Sequence, residues 1–237
     1  MRNQKIAVAS ADGGSFSAYL AIPAGGLGAG VLVIQEVFGI NQVMRQIADS
    51  YAEAGYVAIV PDLFWRQEPN VELTDRTEAE WDRAIELYQG FDEDKGAEDL
   101  IATLSALRQM PVCTGKVGTV GFCLGGKLAY LMATRSDADC NVSYYGVAIE
   151  NNLAEAGNIK KPLMLHIAEK DRFVPPETQA AIRAELSGHP LVTVYSYAGA
   201  DHAFARVGGQ PYREDAAQLA NSRTLEFFKQ HLGLSGV

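Results

Sequence analysis

Cysteine is scarce in this chain of 237 residues: there are three, Cys113, Cys123 and Cys140. An odd count with no close pair excludes a disulfide framework and a cysteine zinc site. Positive charge is in deficit, with 20 Lys and Arg against 29 Asp and Glu, a net charge of −9. Without a basic run, such a chain is a poor binder of nucleic acid or of anionic membrane surfaces. No apolar run approaches the roughly 18 residues that a bilayer span needs. The opening stretch MRNQKIAVASADGG holds no long apolar segment of the kind a signal peptide uses. These absences lead to the expectation of a cytoplasmic, reducing location, where a free thiol persists.

What is present is an ordinary globular composition, 48% hydrophobic and 21% charged. The length suits one domain over residues 1–237, with no repeat, low-complexity tract or linker. KIAVAS and FSAYLAIP read as an opening pair of strands around Asp12-Gly13-Gly14. After them strands and helices alternate. GVLVIQEV, YVAIVPD, KVGTVGF, NVSYYG, PLMLHIAE and LVTVYSYA read as strands, several of them apolar enough to be buried on both faces. Helices are expected after Asn41, over about 75–89 and 93–109, at LGGKLAYLMATR, at PETQAAIRAELSG and over 213–232. In the last of these, Ala216, Leu219, Ala220, Leu225 and Phe228 keep a helical apolar spacing. The pattern predicts an α/β fold, with a mostly parallel central sheet between helices on both faces, a three-layer sandwich. Ligands in such folds bind beyond the carboxyl ends of the strands. The residues just after each strand are therefore the candidates for chemistry.

Gly121-Phe122-Cys123-Leu124-Gly125 fits G-x-C-x-G between a strand and a helix. This is the nucleophile-elbow pattern with sulfur in place of a hydroxyl. A strained central residue projects its side chain at the turn. Flanking glycines let strand and helix approach, and the helix start aims N–H groups that favour a thiolate and an oxyanion. A buried cysteine can also be mere packing, and Cys113 and Cys140, which lack this context, are read that way.

A cysteine nucleophile needs a base, and four histidines are available. His166 lies inside a strand, His189 in a turn and His231 near the chain end. His202, in YAGADHAFARVGG just past the final strand, is the expected base. Asp171, after LMLHIAEK, is the expected orienter, with Glu169 a weaker rival. Asp201 adjoins His202, but neighbouring side chains point apart. Glu36 ends another strand. It either serves the backbone or takes part in catalysis, and a carboxylate beside a thiol disfavours the thiolate. The N–H groups of Leu124 and Val37 are the expected oxyanion donors.

IQEVFGIN, VPDLFWR, VGFCLGG, SYYGV, AEKDRFVP and DHAFAR are collinear over nearly the whole chain. Together they resemble the dienelactone hydrolase family of the α/β-hydrolase fold. The resemblance implies a cofactor-free, metal-free hydrolase using Cys123, Asp171 and His202. It also implies that Glu36 bonds the resting thiol and is displaced when substrate binds. Phe38 and Tyr145, inside these motifs, are expected substrate contacts. Family members acting on carboxylated lactones hold the carboxylate with two arginines. One matches Arg206; the other falls on Trp81, a departure, because a neutral ring cannot replace a guanidinium. Arg83, about 200° further round a helix, should face away. Trp81, Ile85 and Tyr88 would form either an apolar wall for a less charged acyl or aryl group or a face packed on the core.

The expected activity is hydrolysis of carboxylic esters or lactones, on small molecules, by a monomer or small homo-oligomer. Attack on activated aryl or phosphate esters is an expected promiscuous alternative. A thiol redox sensor is the alternative of another class, weakened by the absence of C-x-x-C and of a resolving cysteine. A non-catalytic binding protein on the same fold is a third.

Overall fold

The structure is a computed structural model, and it describes residues 1–233. Eight strands form one sheet in the order β1-β2-β4-β3-β5-β6-β7-β8, mostly parallel and flanked by helices. The α/β class expected from the alternating pattern is the class observed. The chain divides into two compact units, Met1–Gly118 with the chain end from Leu232, and Thr119–His231.

In the first unit β1 (Arg2–Ala9) and β2 (Ser15–Ile22) form an antiparallel hairpin, with Arg2 opposite Ile22 and Ala9 opposite Ser15. β3 (Gly28–Ile34) and β4 (Val57–Pro61) pair in parallel, and every residue of both is buried. That burial explains their continuous apolar sequences. α1 (Gln42–Glu53) starts where Asn41 accepts the Met44 N–H. α2 (Glu78–Gln89) starts after the Thr77 cap, three residues later than the expected helix. α3 (Glu93–Gln109) is capped by Asp92. Asp99, wholly buried on α3, accepts from Ser10, Trp65 and Arg66, and so ties the end of β1 to α3. β5 (Cys113–Phe122) begins in this unit, continues into the second and runs up to the elbow cysteine.

In the second unit α4 (Leu124–Arg135) is buried along all but its last residue. β6 (Cys140–Tyr144), β7 (Leu163–Ala168) and β8 (Val192–Tyr197) lie side by side, with β6–β7 and β7–β8 parallel. α5 is Pro176–Leu186 and α6 is Glu214–Leu232. A 3₁₀ helix over Ile149–Asn158 was not expected from sequence; tight turns of this kind carry no apolar period to read.

Two expectations are corrected here. Leu219 and Leu225 of α6 are 47% and 39% exposed. The buried stripe runs instead through Ala216, Ala220, Thr224 and Phe228. Thr224 belongs to it because its hydroxyl is used: it lies 2.6 Å from Tyr144 Oη and 3.0 Å from His166 Nε2. Cys140 is buried as expected of packing, but Cys113 is only half-buried.

No described helix is long and apolar enough to cross a membrane.

Candidate active site

Cys123 lies between β5 and α4 with φ 58° and ψ −117°, a conformation a side chain rarely adopts. Four backbone hydrogen bonds hold it. Its N–H donates to the Tyr144 carbonyl at 3.1 Å, and its carbonyl accepts from Gly126, Lys127 and Val147. The flanking glycines are required by space. A Cβ on Gly121 would sit 1.8 Å from the Gly125 oxygen, and one on Gly126 would sit 2.5 Å from the Tyr144 oxygen. Strand, helix and neighbouring strand close on the turn from three directions. Leu124 opens α4, so its N–H is among those with no acceptor inside the helix.

Asp171 follows β7 and is 4% exposed. Its Oδ1 accepts the Phe173 N–H at 2.9 Å, which turns the loop back on itself. Gln179 of α5 pins the same loop by donating to the carbonyls of Ala168 and Val174. The other carboxylate oxygen, Oδ2, lies 2.8 Å from His202 Nδ1. Glu169, the rival, is exposed. Asp201 does not face the imidazole; it accepts the backbone N–H of His202 at 2.7 Å.

His202 is buried between two rings. Tyr145 meets it edge-on at 5.2 Å between centroids, and Phe173 at 4.8 Å. Its Nε2 is shut from solvent and has no hydrogen-bond acceptor or donor at close range among the described residues. Burial by itself lowers the His202 pKa. The charge of Cys123, the hydrogen bond His202 donates to Asp171 and the pull of the sulfur and carboxylate together outweigh it, raising the value to about 10. A thiol, an imidazole and a carboxylate can together form a thiolate–imidazolium pair. His166 is a core residue, wholly buried between Tyr197 and Thr224.

Glu36 is 2% exposed just past β3 and has partners of its own. Gln35 braces that turn, accepting from the Leu63 N–H and donating to the Glu36 carbonyl. Val37 and Phe38 are also buried. Phe38 packs edge-on against Trp81, 5.0 Å between centroids, and the Trp81 N–H donates to the Asp75 carbonyl. Ala84 and Leu87 form the buried face of α2. Ile85 is 37% exposed and Tyr88 half-buried, while Trp81, also half-buried, packs on buried Phe38. Arg83 turns away and pairs with Glu68 and Glu86, as its angle predicts. Arg206 is 6% exposed in the turn after His202 and is engaged with partners. Phe173 was missed from sequence; the signal available was an aromatic residue two places after Asp171 in an otherwise polar loop.

Residues 16–232 match the description of the Dienelactone hydrolase family. The chain belongs to that family. A protein of Azospirillum brasilense is 51% identical over 230 residues, covering 96% of this chain and 99% of its own. The carboxymethylenebutenolidase of Pseudomonas putida is 38% identical over 227 residues, with 96% of both chains covered. Among solved structures, a dienelactone hydrolase-like promiscuous phosphotriesterase from metagenomic libraries superposes with a TM-score of 0.81 at 23% identity. That match covers 98% of this chain and all of the other, and shows the shared fold. As a member of the dienelactone hydrolase family the chain is a hydrolase on the α/β-hydrolase fold.

Proposed function

We propose that this member of the family hydrolyses carboxylic esters or lactones through a thioester on Cys123. The observation that carries the reading is the buried imidazole of His202, held at Nδ1 by Asp171 Oδ2 at 2.8 Å. Cys123 Sγ attacks the carbonyl carbon while its proton resides on the His202 system. The Leu124 N–H, with that of Val37 as the resemblance implies, holds the oxyanion. The C–O bond breaks and His202 protonates the leaving oxygen. Water then attacks the thioester, His202 takes its proton, and the thiol is restored.

Glu36 is assigned, on the resemblance, a hydrogen bond to the resting sulfur that substrate binding displaces. Glu36→Gln should therefore change the pH profile of acylation, with little effect on the water step. Arg206 is assigned to an anionic group of the substrate, with Phe38 and Tyr145 as further contacts. Trp81 stands where a strict dienelactone hydrolase would have its second arginine, which favours a less charged acyl or aryl group. A panel comparing an anionic dienelactone with neutral lactones and aryl esters tests this. Strong preference for the anionic lactone would overturn the reading of Trp81.

A further inference from the structure

We propose that the second unit holds a further ligand site, a cavity between α6 and the amino ends of β7 and β8 that takes a single carboxylate carried on an apolar body. The inference goes beyond the ester-hydrolysis reading and does not depend on it.

The cavity has a volume of about 530 Å³, within the range of small-molecule sites. Pro162, Pro190 and Leu191, which line it, come just before β7 and β8. Asp171 and His202 come after the same two strands. The length of a strand of six residues, roughly 17 Å, therefore lies between the cavity and the imidazole. A small molecule seated there is not the ester being cleaved.

Arg223 supplies the chemistry. Its guanidinium is held over the Tyr195 ring, Cζ 3.9 Å from the centroid, and its Nη1 donates to Tyr197 Oη at 3.1 Å. That hydroxyl is itself fixed 2.8 Å from His166 Nδ1 in the core. The half-buried Arg223 side chain makes no ion pair among the described residues, and most of its N–H groups are left to donate. A planar fork already immobilised on a ring loses little freedom in binding a carboxylate through two parallel hydrogen bonds. Met164 and Phe227, 5% and 8% exposed, give the cavity an apolar wall, and Leu191 extends it to the surface. Covering that wall favours an apolar body behind the carboxylate. Glu226, exposed one turn on from Arg223, lines the same cavity and makes no ion pair among the described residues. Its charge repels a second anionic group, which limits the ligand to one carboxylate at the Arg223 end.

Calorimetric titration with 2-naphthoate tests the site, with 2-naphthylmethanol as the uncharged counterpart. The protein should bind 2-naphthoate at least tenfold more tightly than the alcohol. Arg223→Gln should remove that preference and leave the alcohol unaffected. Glu226→Gln should strengthen 2-naphthoate binding about twofold at low salt, with the gain fading at high salt. Ser222→Trp, a bulky ring placed at an exposed lining position, should block both ligands, and thermal unfolding confirms that each variant is folded. Equal binding of 2-naphthoate by the protein and by folded Arg223→Gln and Ser222→Trp, or no saturable binding at millimolar concentration, would overturn the proposal. So would a dimer, seen by sedimentation, that Ser222→Trp splits, because a second copy would then fill the cavity. Cys123→Ala should bind 2-naphthoate unchanged, so this proposal and the thioester reading fail separately.

Discussion

Asp171 Oδ2 and His202 Nδ1 lie 2.8 Å apart, with the two side chains only 1% and 6% exposed. A buried carboxylate in that place fixes which imidazole nitrogen carries the hydrogen and leaves Nε2 turned to the reaction. It also stabilises the imidazolium form, in line with the raised His202 pKa. Asp171→Asn should lower kcat by about a thousandfold or more on aryl esters, with a small change in KM. Steady-state kinetics on the folded variant measures this. A loss below tenfold would mean that the carboxylate does not orient the base.

The elbow makes a stability prediction independent of activity. A Cβ on Gly121 would lie 1.8 Å from a backbone oxygen, which cannot rotate away. Gly121→Ala should cost about 3 kcal/mol or more, at the upper end of overpacking effects. Gly157→Ala, where a Cβ meets nothing within 4 Å, should cost under about 1 kcal/mol. Urea unfolding of the two variants makes the comparison.

His166 gives the chain an acid-sensitive core. Burial drives its pKa down to about 3, and the charge of Arg223 adds to that. An unfolded histidine takes up its proton near pH 6.5. Below that pH the unfolded state binds a proton that the folded state refuses, so stability falls as pH falls from about 6.5 towards about 3. One such group contributes a slope of at most about 1.4 kcal/mol per pH unit. His166→Gln should show a shallower acid limb when unfolding free energy is measured from about pH 7 to about pH 4. Parallel limbs for the two proteins would rule the mechanism out.

The last helix separates apolar sequence from actual burial. Thr224 is wholly buried and serves both Tyr144 and His166. Thr224→Val should cost about 1–3 kcal/mol by leaving His166 Nε2 unpaired, while Tyr144 keeps Asn221. Leu225→Ala, on a residue 39% exposed, should cost about 1 kcal/mol or less. Thermal unfolding of both variants checks the order.

That helix also marks where sequence reading ran short. The strands of the sheet were legible because burial on both faces leaves continuous apolar runs, as in β3 and β4. The elbow was legible because a strained turn needs glycine at fixed offsets, and Asp171 and His202 because each follows a strand end. The core face of α6 was not, because a hydroxyl satisfied by Tyr144 and His166 is apolar in effect and polar in type. Phe173 was overlooked because its contact with the His202 ring is a property of the folded chain.

The central claim is a covalent bond to one sulfur. Rapid quenching of the enzyme with para-nitrophenyl acetate, followed by peptide mass spectrometry, tests it most directly. The account predicts an acetyl group on the peptide containing Cys123, formed and lost at rates that match turnover, and neither adduct nor turnover in folded Cys123→Ala. An acetyl group on another residue at catalytic rates, or undiminished turnover without Cys123, would contradict it.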